Sequence, residues 1–320
     1  MTSSFRRPRT AAAFLALLAV LATGCSGGGS GSDDADKPGA GAPAHNGNSS
    51  VPSDGSPAAS GTAPASASSS PAPAGAIGAW TPNVRTLPLG PDGLPPVFTN
   101  GPRDKPRVAL TFDSDMTAGM QDRLRTGKTA SYDNTALLAD LRRLKVPATF
   151  FMTGLWIDTY PQEARGIATD PLFEVASHSL THRGFAGTCY GLGHVPTGEM
   201  AAEVRAPFER LRAVQGAHTV PYFRFPGGCY DKEALKAIAP TGVTPIQWDV
   251  ISTDADGTTG DKIAATVLAQ AKNGSVVVMH NSLGPAAHTG DAIVKIVEGL
   301  RAKGFEVVRV SDLVGAAAGR

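Results

Sequence analysis

The chain has 320 residues and a formal charge of +1, from 29 basic and 28 acidic side chains, with 37 glycines and 25 prolines. A near-neutral balance with no basic block or stripe in its folded part argues against a nucleic-acid partner. Of the three cysteines, Cys25, Cys189 and Cys229, the last two lack a second soft ligand at short spacing in GTCYG and GGCYD, so neither reads as a metal ligand.

The opening stretch MTSSFRRPRTAAAFLALLAVLATGC joins Arg6, Arg7 and Arg9 to an apolar run from Ala11 to Ala22 and then to small residues. That is the pattern of an export signal, and the run is too short to be preferred as a membrane-spanning helix. Residues 1–24 are expected to be a signal peptide. The small residues leading to Cys25 resemble the lipobox of bacterial lipoproteins, which implies lipid on Cys25 and a membrane anchor; the alternative is ordinary cleavage and release. Residues 25–76 are nearly all Gly, Ser, Ala, Pro, Asp and Asn, with Val51 as their one branched aliphatic residue. Such a composition does not repay the entropy of folding, and it reads as a disordered linker. An extended lead-in is expected over 77–105. Export implies an extracytoplasmic, oxidising setting in which Cys189 and Cys229 pair. A monomer is assumed.

From 106 to 315 a rhythm sets in. Short apolar runs (RVALTFD, ATFFMTG, FEVASHS, YFRFPGG, TPIQWDVIS, SVVVMHN, FEVVRV) alternate with stretches of helical spacing such as NTALLADLRRL, GEMAAEVRAPFERLRAV and GDAIVKIVEGLRAK. The runs are apolar enough to be buried on both faces, which indicates a parallel α/β fold. About seven strands in this length fit a small or incomplete (β/α) barrel, with a doubly wound open sheet as the alternative.

In either architecture, function gathers at the carboxyl ends of the strands. The exits carry Asp113 and Asp115, Thr153, His178 and His182, Arg224, Asp249 and Asp254, and His280. His178 and His182 lie four apart, a spacing that points both rings the same way on one helical turn. Two imidazoles with one carboxylate make an open site for a divalent ion, typically zinc, with cobalt or nickel as alternatives.

The ordered segments TFDSD, HSLTH, RFPGG, WDV and VMH resemble the motifs of polysaccharide deacetylases, the NodB-homology domain of carbohydrate esterase family 4. The resemblance covers most of Arg107 to Val314. It implies a distorted (β/α) barrel of about seven parallel strands and a metal-dependent hydrolase that removes acetyl groups from polysaccharide: N-acetylglucosamine glycans such as peptidoglycan or chitin oligomers, or acetylxylan. Carried over by motif, Asp113 is the general base, His178 and His182 are metal ligands, Arg224 holds the base carboxylate and His280 is the general acid.

Two places depart from the pattern. The second acid of the family motif falls at Ser114, with Asp115 one residue further. Asp115 is expected to reach the metal, because residues two apart on a strand share a face; the alternative is Ser114 or water. The acid that should orient His280 falls in the register of Ile251, so Asp249, two residues earlier, is expected in that role, with Asp254 as the alternative. These departures also leave room for a second function, a non-catalytic cell-wall glycan-binding lipoprotein on a degenerate deacetylase fold.

Overall fold

The computed structural model describes residues 84–319. The expected signal peptide, the linker, Cys25 and the first part of the lead-in lie outside the described residues. In chain order the elements are β1 (Arg107–Ser114), α1 (Ala118–Arg125), α2 (Thr135–Arg143), β2 (Ala148–Met152), α3 (Gly154–Thr159), α4 (Pro161–Ala168), β3 (Phe173–Ser177), α5 (Met200–Ala213), β4 (Thr219–Phe223), α6 (Lys232–Ile238), β5 (Thr244–Pro245), β6 (Val250–Ile251), α7 (Gly260–Gln270), β7 (Ser275–His280), α8 (Thr289–Ala302), β8 (Glu306–Val308) and α9 (Val310–Ala318). Among the described residues no helix is long and apolar enough to cross a membrane.

Seven strands follow one another in the order β5-β4-β3-β2-β1-β7-β6, with β8 pairing on β1. Every pairing is parallel. This is a distorted, incomplete (β/α) barrel, because β5 and β6 form the two ends of the strand path and do not pair with each other. The buried character of β2, β3 and β4 on both faces follows from that arrangement, since helices cover one side and the barrel interior the other.

The run TPIQWDVIS, expected as one strand, is divided. Its first part pairs with β4 at one end of the sheet and its last part with β7 at the other. Between them the lead-in fills the gap: Phe98 donates its amide to Pro245 O at 2.9 Å and accepts from the Gln247 amide at 2.8 Å. The Phe98 ring is buried in an inner cluster with Ala109, Phe151, Tyr222 and Val276. The opposite face of β1 supplies Val108, Leu110 and Phe112 to the larger outer core beneath α2, α7 and α8. Alternation along β1 thus leaves Ala109, Thr111 and Asp113 facing inward.

Candidate active site

Asp113 is the last inward-facing residue of β1, and Asp115 follows one residue beyond the strand. The Asp115 backbone is gripped by one hydroxyl: Ser282 Oγ accepts from the Asp115 amide at 2.8 Å and donates to its carbonyl at 3.1 Å. Across the barrel mouth, β3 hands the chain to a tight turn carrying His178 and His182, in which Ser179 (φ 68°) and His182 (φ 59°) adopt left-handed backbone. His178 Nε2 and His182 Nε2 each stand 3.3 Å from Asp115 Oδ1. The ligand atoms of these three side chains lie within 4.8 Å of one another.

This trio fits a divalent ion on several grounds. Asp115 Oδ1 is buried without a hydrogen-bond partner, a costly state for a carboxylate oxygen. The separation of 3.3 Å matches the edge of a tetrahedron with bonds of about 2.0–2.1 Å. His178 Nδ1 lies 2.9 Å from Arg224 O, an atom that only accepts, so the Nδ1 proton is fixed there and the Nε2 lone pair faces Asp115. Ser114, by contrast, turns its hydroxyl toward Asn281 Nδ2 at 3.4 Å. Burial opposes ionisation of Asp115, yet His182, His178 and His280 hold its carboxyl well below the usual carboxylate range. Burial drives the His182 imidazole down to about 4, against the pull of Asp115. His178 is also opposed by burial, but the Asp113 and Asp115 carboxylates outweigh it and move its pKa up.

Two charge pairs border the trio. Arg224 is fully buried and donates from one nitrogen to Asp113 Oδ1 at 2.7 Å and to Thr111 Oγ1 at 2.8 Å. Its guanidinium lies 4.0 Å from the centre of the Phe151 ring. The other Asp113 oxygen, Oδ2, faces His178 Nε2 at 3.6 Å. In the second pair, His280 ends β7, in register with Asp113 on β1, with Nδ1 2.9 Å from Asp254 Oδ1 and its backbone amide 2.7 Å from Asp254 Oδ2. Ser252 and Thr289 hydroxyls donate to the same carboxylate at 2.9 and 2.7 Å. Burial disfavours charge on His280, but Asp254, with Asp115 and Asp113, pushes its pKa up to about 10. His280 Nε2 points back toward Asp115 Oδ2 at 3.8 Å.

The expectation that Asp249 contacts His280 is corrected. Asp249 accepts from Arg103 at 2.7 Å, from Ser275 Oγ at 3.0 Å and from the Val276 amide at 2.9 Å, all at the amino end of β7, whereas His280 is at its carboxyl end. The shared-face argument needs a continuous strand, and residues 246–249 are instead the segment that crosses the gap between β5 and β6. Asp254, from the turn after β6, makes the contact.

Asp113, Asp115, His178, His182, Arg224 and His280 are brought together as the sequence suggested. Ser282 and Glu203 were missed, although each left a trace. Ser282 lies two residues past His280, and Glu203 occupies the apolar stripe Met200, Val204, Pro207, Phe208 and Leu211 of α5, an odd place for an acid. Tyr222 and Trp156 are buried, while Tyr230 is partly exposed and stacks on Phe225 at 4.9 Å. Cys189 and Cys229 form a disulfide that joins the loops after β3 and β4.

Residues 100–246 match the family model for polysaccharide deacetylase. A chitooligosaccharide deacetylase of Bradyrhizobium sp. is 25% identical over 178 residues, 52% of this chain and 78% of that protein. These matches make the chain similar to polysaccharide deacetylases over that span. A peptidoglycan-N-acetylglucosamine deacetylase of Bacillus cereus is 26% identical to the chain over 217 residues, covering 67% of it and 70% of that protein. A solved family 4 carbohydrate esterase pseudoenzyme from Bacillus anthracis superposes on this chain with a TM-score of 0.57 at 23% identity, over 69% of this chain and 70% of that one, a likeness of fold. The family-matched span holds Asp113, Asp115, His178, His182 and Arg224; Asp254 and His280 lie beyond it.

Proposed function

We propose that this deacetylase domain is a metal-dependent hydrolase that removes acetyl groups from an N-acetylglucosamine glycan, peptidoglycan or chitin oligomers, with acetylxylan as the O-linked alternative. Asp115, His178 and His182 hold the ion, for which zinc is proposed. Bound there, a divalent ion polarises a carbonyl and makes water more acidic. Asp113 acts as general base through Oδ2, the oxygen left free while Arg224 engages Oδ1. His280 gives its Nε2 proton to the departing amine or hydroxyl, and Asp254 fixes the ring by accepting from Nδ1. Base and acid are held by separate partners, Arg224 and Asp254, so one group can take a proton while the other delivers one.

The observation that carries this reading is the orphaned Asp115 Oδ1 between two imidazole nitrogens, with an intact acid pair and base pair beside it. A pure binder has little need of such pairs. The disulfide supports an exported protein, extracytoplasmic and either released or anchored through lipid on Cys25. The test is acetate release from chitooligosaccharide, peptidoglycan and acetylxylan by the zinc-supplied protein, with loss on chelation and in His178→Ala. Absence of release from all three, with metal bound and sugar retained, would favour the glycan-binding alternative. Loss of fatty-acid labelling in Cys25→Ala is the check on the anchor.

A further inference from the structure

We infer that Glu203 is a positioning residue for the metal centre: its buried carboxylate holds the turn between His178 and His182 and thereby sets the affinity for the ion. This rests on the metal reading of Asp115, His178 and His182 given above.

The turn from Ser179 to His182 has the backbone of a strained segment. Two non-glycine residues, Ser179 and His182, sit at φ 68° and 59°, a region that costs such residues free energy and persists only where surrounding contacts over-determine it. Those contacts come from two helices. The first amides of α3 take the carbonyls: Gly154 N–H donates to Ser179 O at 2.9 Å and Leu155 N–H to Leu180 O at 3.0 Å. Glu203, in the first turn of α5, takes the amides: Leu180 N–H and Thr181 N–H both donate to Oε2 at 2.9 Å. Without that carboxylate both amides lose their partner in a half-buried turn.

The second oxygen is also committed. Glu203 Oε1 accepts from Thr181 Oγ1 at 2.8 Å and from Arg183 at 3.0 Å. The Thr181 hydroxyl accepts from Arg183 Nε at 3.0 Å, so its own proton is directed at Glu203. Four donors thus converge on two oxygens, and only an acceptor on both sides satisfies them. A glutamine has one acceptor and one donor, and either orientation of its amide sets an N–H against an N–H or a guanidinium. Glu203 touches neither ligand ring. Its action runs through the backbone that carries His182, as expected of groups that orient metal ligands from behind.

The experiment measures Zn2+ binding to the full protein by competition with a chromophoric chelator, in wild type and Glu203→Gln, far below the unfolding temperature of the metal-free proteins. Circular dichroism of both establishes that they are folded. Glu203→Gln is expected to bind Zn2+ about 10- to 100-fold more weakly, and to alter the visible absorption of the Co2+ form, a signature of ligand geometry. If Glu203→Gln does not fold, Thr181→Val removes one of the four bonds; a loss of about fivefold is expected there, with recovery in Thr181→Ser. A folded variant that binds Zn2+ within twofold of wild type, with an unchanged Co2+ spectrum, overturns the role of Glu203 and leaves the metal centre standing. Failure of wild type to bind any divalent ion overturns both.

Discussion

Ser282 Oγ clasps the backbone of Asp115 on both sides, amide and carbonyl, at 2.8 and 3.1 Å. It fixes the residue just past β1 so that the Asp115 carboxylate, and not the Ser114 hydroxyl, faces His178 and His182. Asp115→Ala is therefore expected to abolish stoichiometric Zn2+ binding, while Ser114→Ala, which removes a hydroxyl turned to Asn281, is expected to keep it. Isothermal titration of the two variants decides. Retained tight binding in Asp115→Ala would refute the assignment.

A second pair of variants separates the two acids near His280. Asp254→Asn removes the negative charge beside His280 and one of the two oxygens that accept from its Nδ1 and its amide, and is expected to lower kcat by about 10²-fold or more, the scale of a general acid's contribution. Asp249→Asn, which loosens the tie to Arg103 at the far end of β7, is expected to leave kcat within about threefold and to cost about 1 kcal/mol of stability or less. Steady-state kinetics and urea unfolding of both proteins provide the check. Equal losses of kcat would mean that contact with His280 is not what matters.

Asp133 gives a pH signature of stability. Burial and the nearby Glu163 push its carboxyl up from 3.8 to about 6, and its Oδ1 has no hydrogen-bond partner. A folded-state pKa above the unfolded value means that the folded chain binds the extra proton across this window, so stability falls as pH rises from about 4 to about 6. Asp133→Asn should remove that component. Urea midpoints at pH 4.5 and pH 7 are expected to differ less in the variant than in wild type, and an identical difference in both would count against it.

The disulfide closes a loop of 40 residues between the segments after β3 and β4. On chain entropy alone such a closure contributes about 4 kcal/mol, and measured values commonly fall at about 2–4 kcal/mol. Cys189→Ser with Cys229→Ser is expected to lose stability on that scale. Gly227 makes the approach possible: it sits at φ 61°, and a Cβ there would come within 2.7 Å of Cys189 Sγ. Non-reducing peptide mapping of wild type should show the linked pair; two alkylatable thiols would remove the basis of the prediction.

Much of this molecule is legible along the chain. Runs buried on both faces, alternating with amphipathic stretches, require a parallel α/β arrangement, because only covering helices can shield such strands. The clustering of Asp113, His178, His182, Arg224 and His280 at strand exits follows from the direction every strand shares. Local pattern also identified Asp115 as a ligand candidate, since two-residue periodicity outlasted the strand by one position.

Other features exist only because distant segments meet. The crossing of residues 246–249 from one end of the strand path to the other depends on the barrel being open there and on Phe98 filling the opening, and no local pattern carries either fact. That crossing turned Asp249 away and gave His280 to Asp254. Likewise, the acid in the apolar stripe of α5 acquires meaning only when the turn of His178 and His182 is laid against it. Sequence periodicity specifies which face a side chain leaves from; which partner waits on that side is decided by how the elements pack.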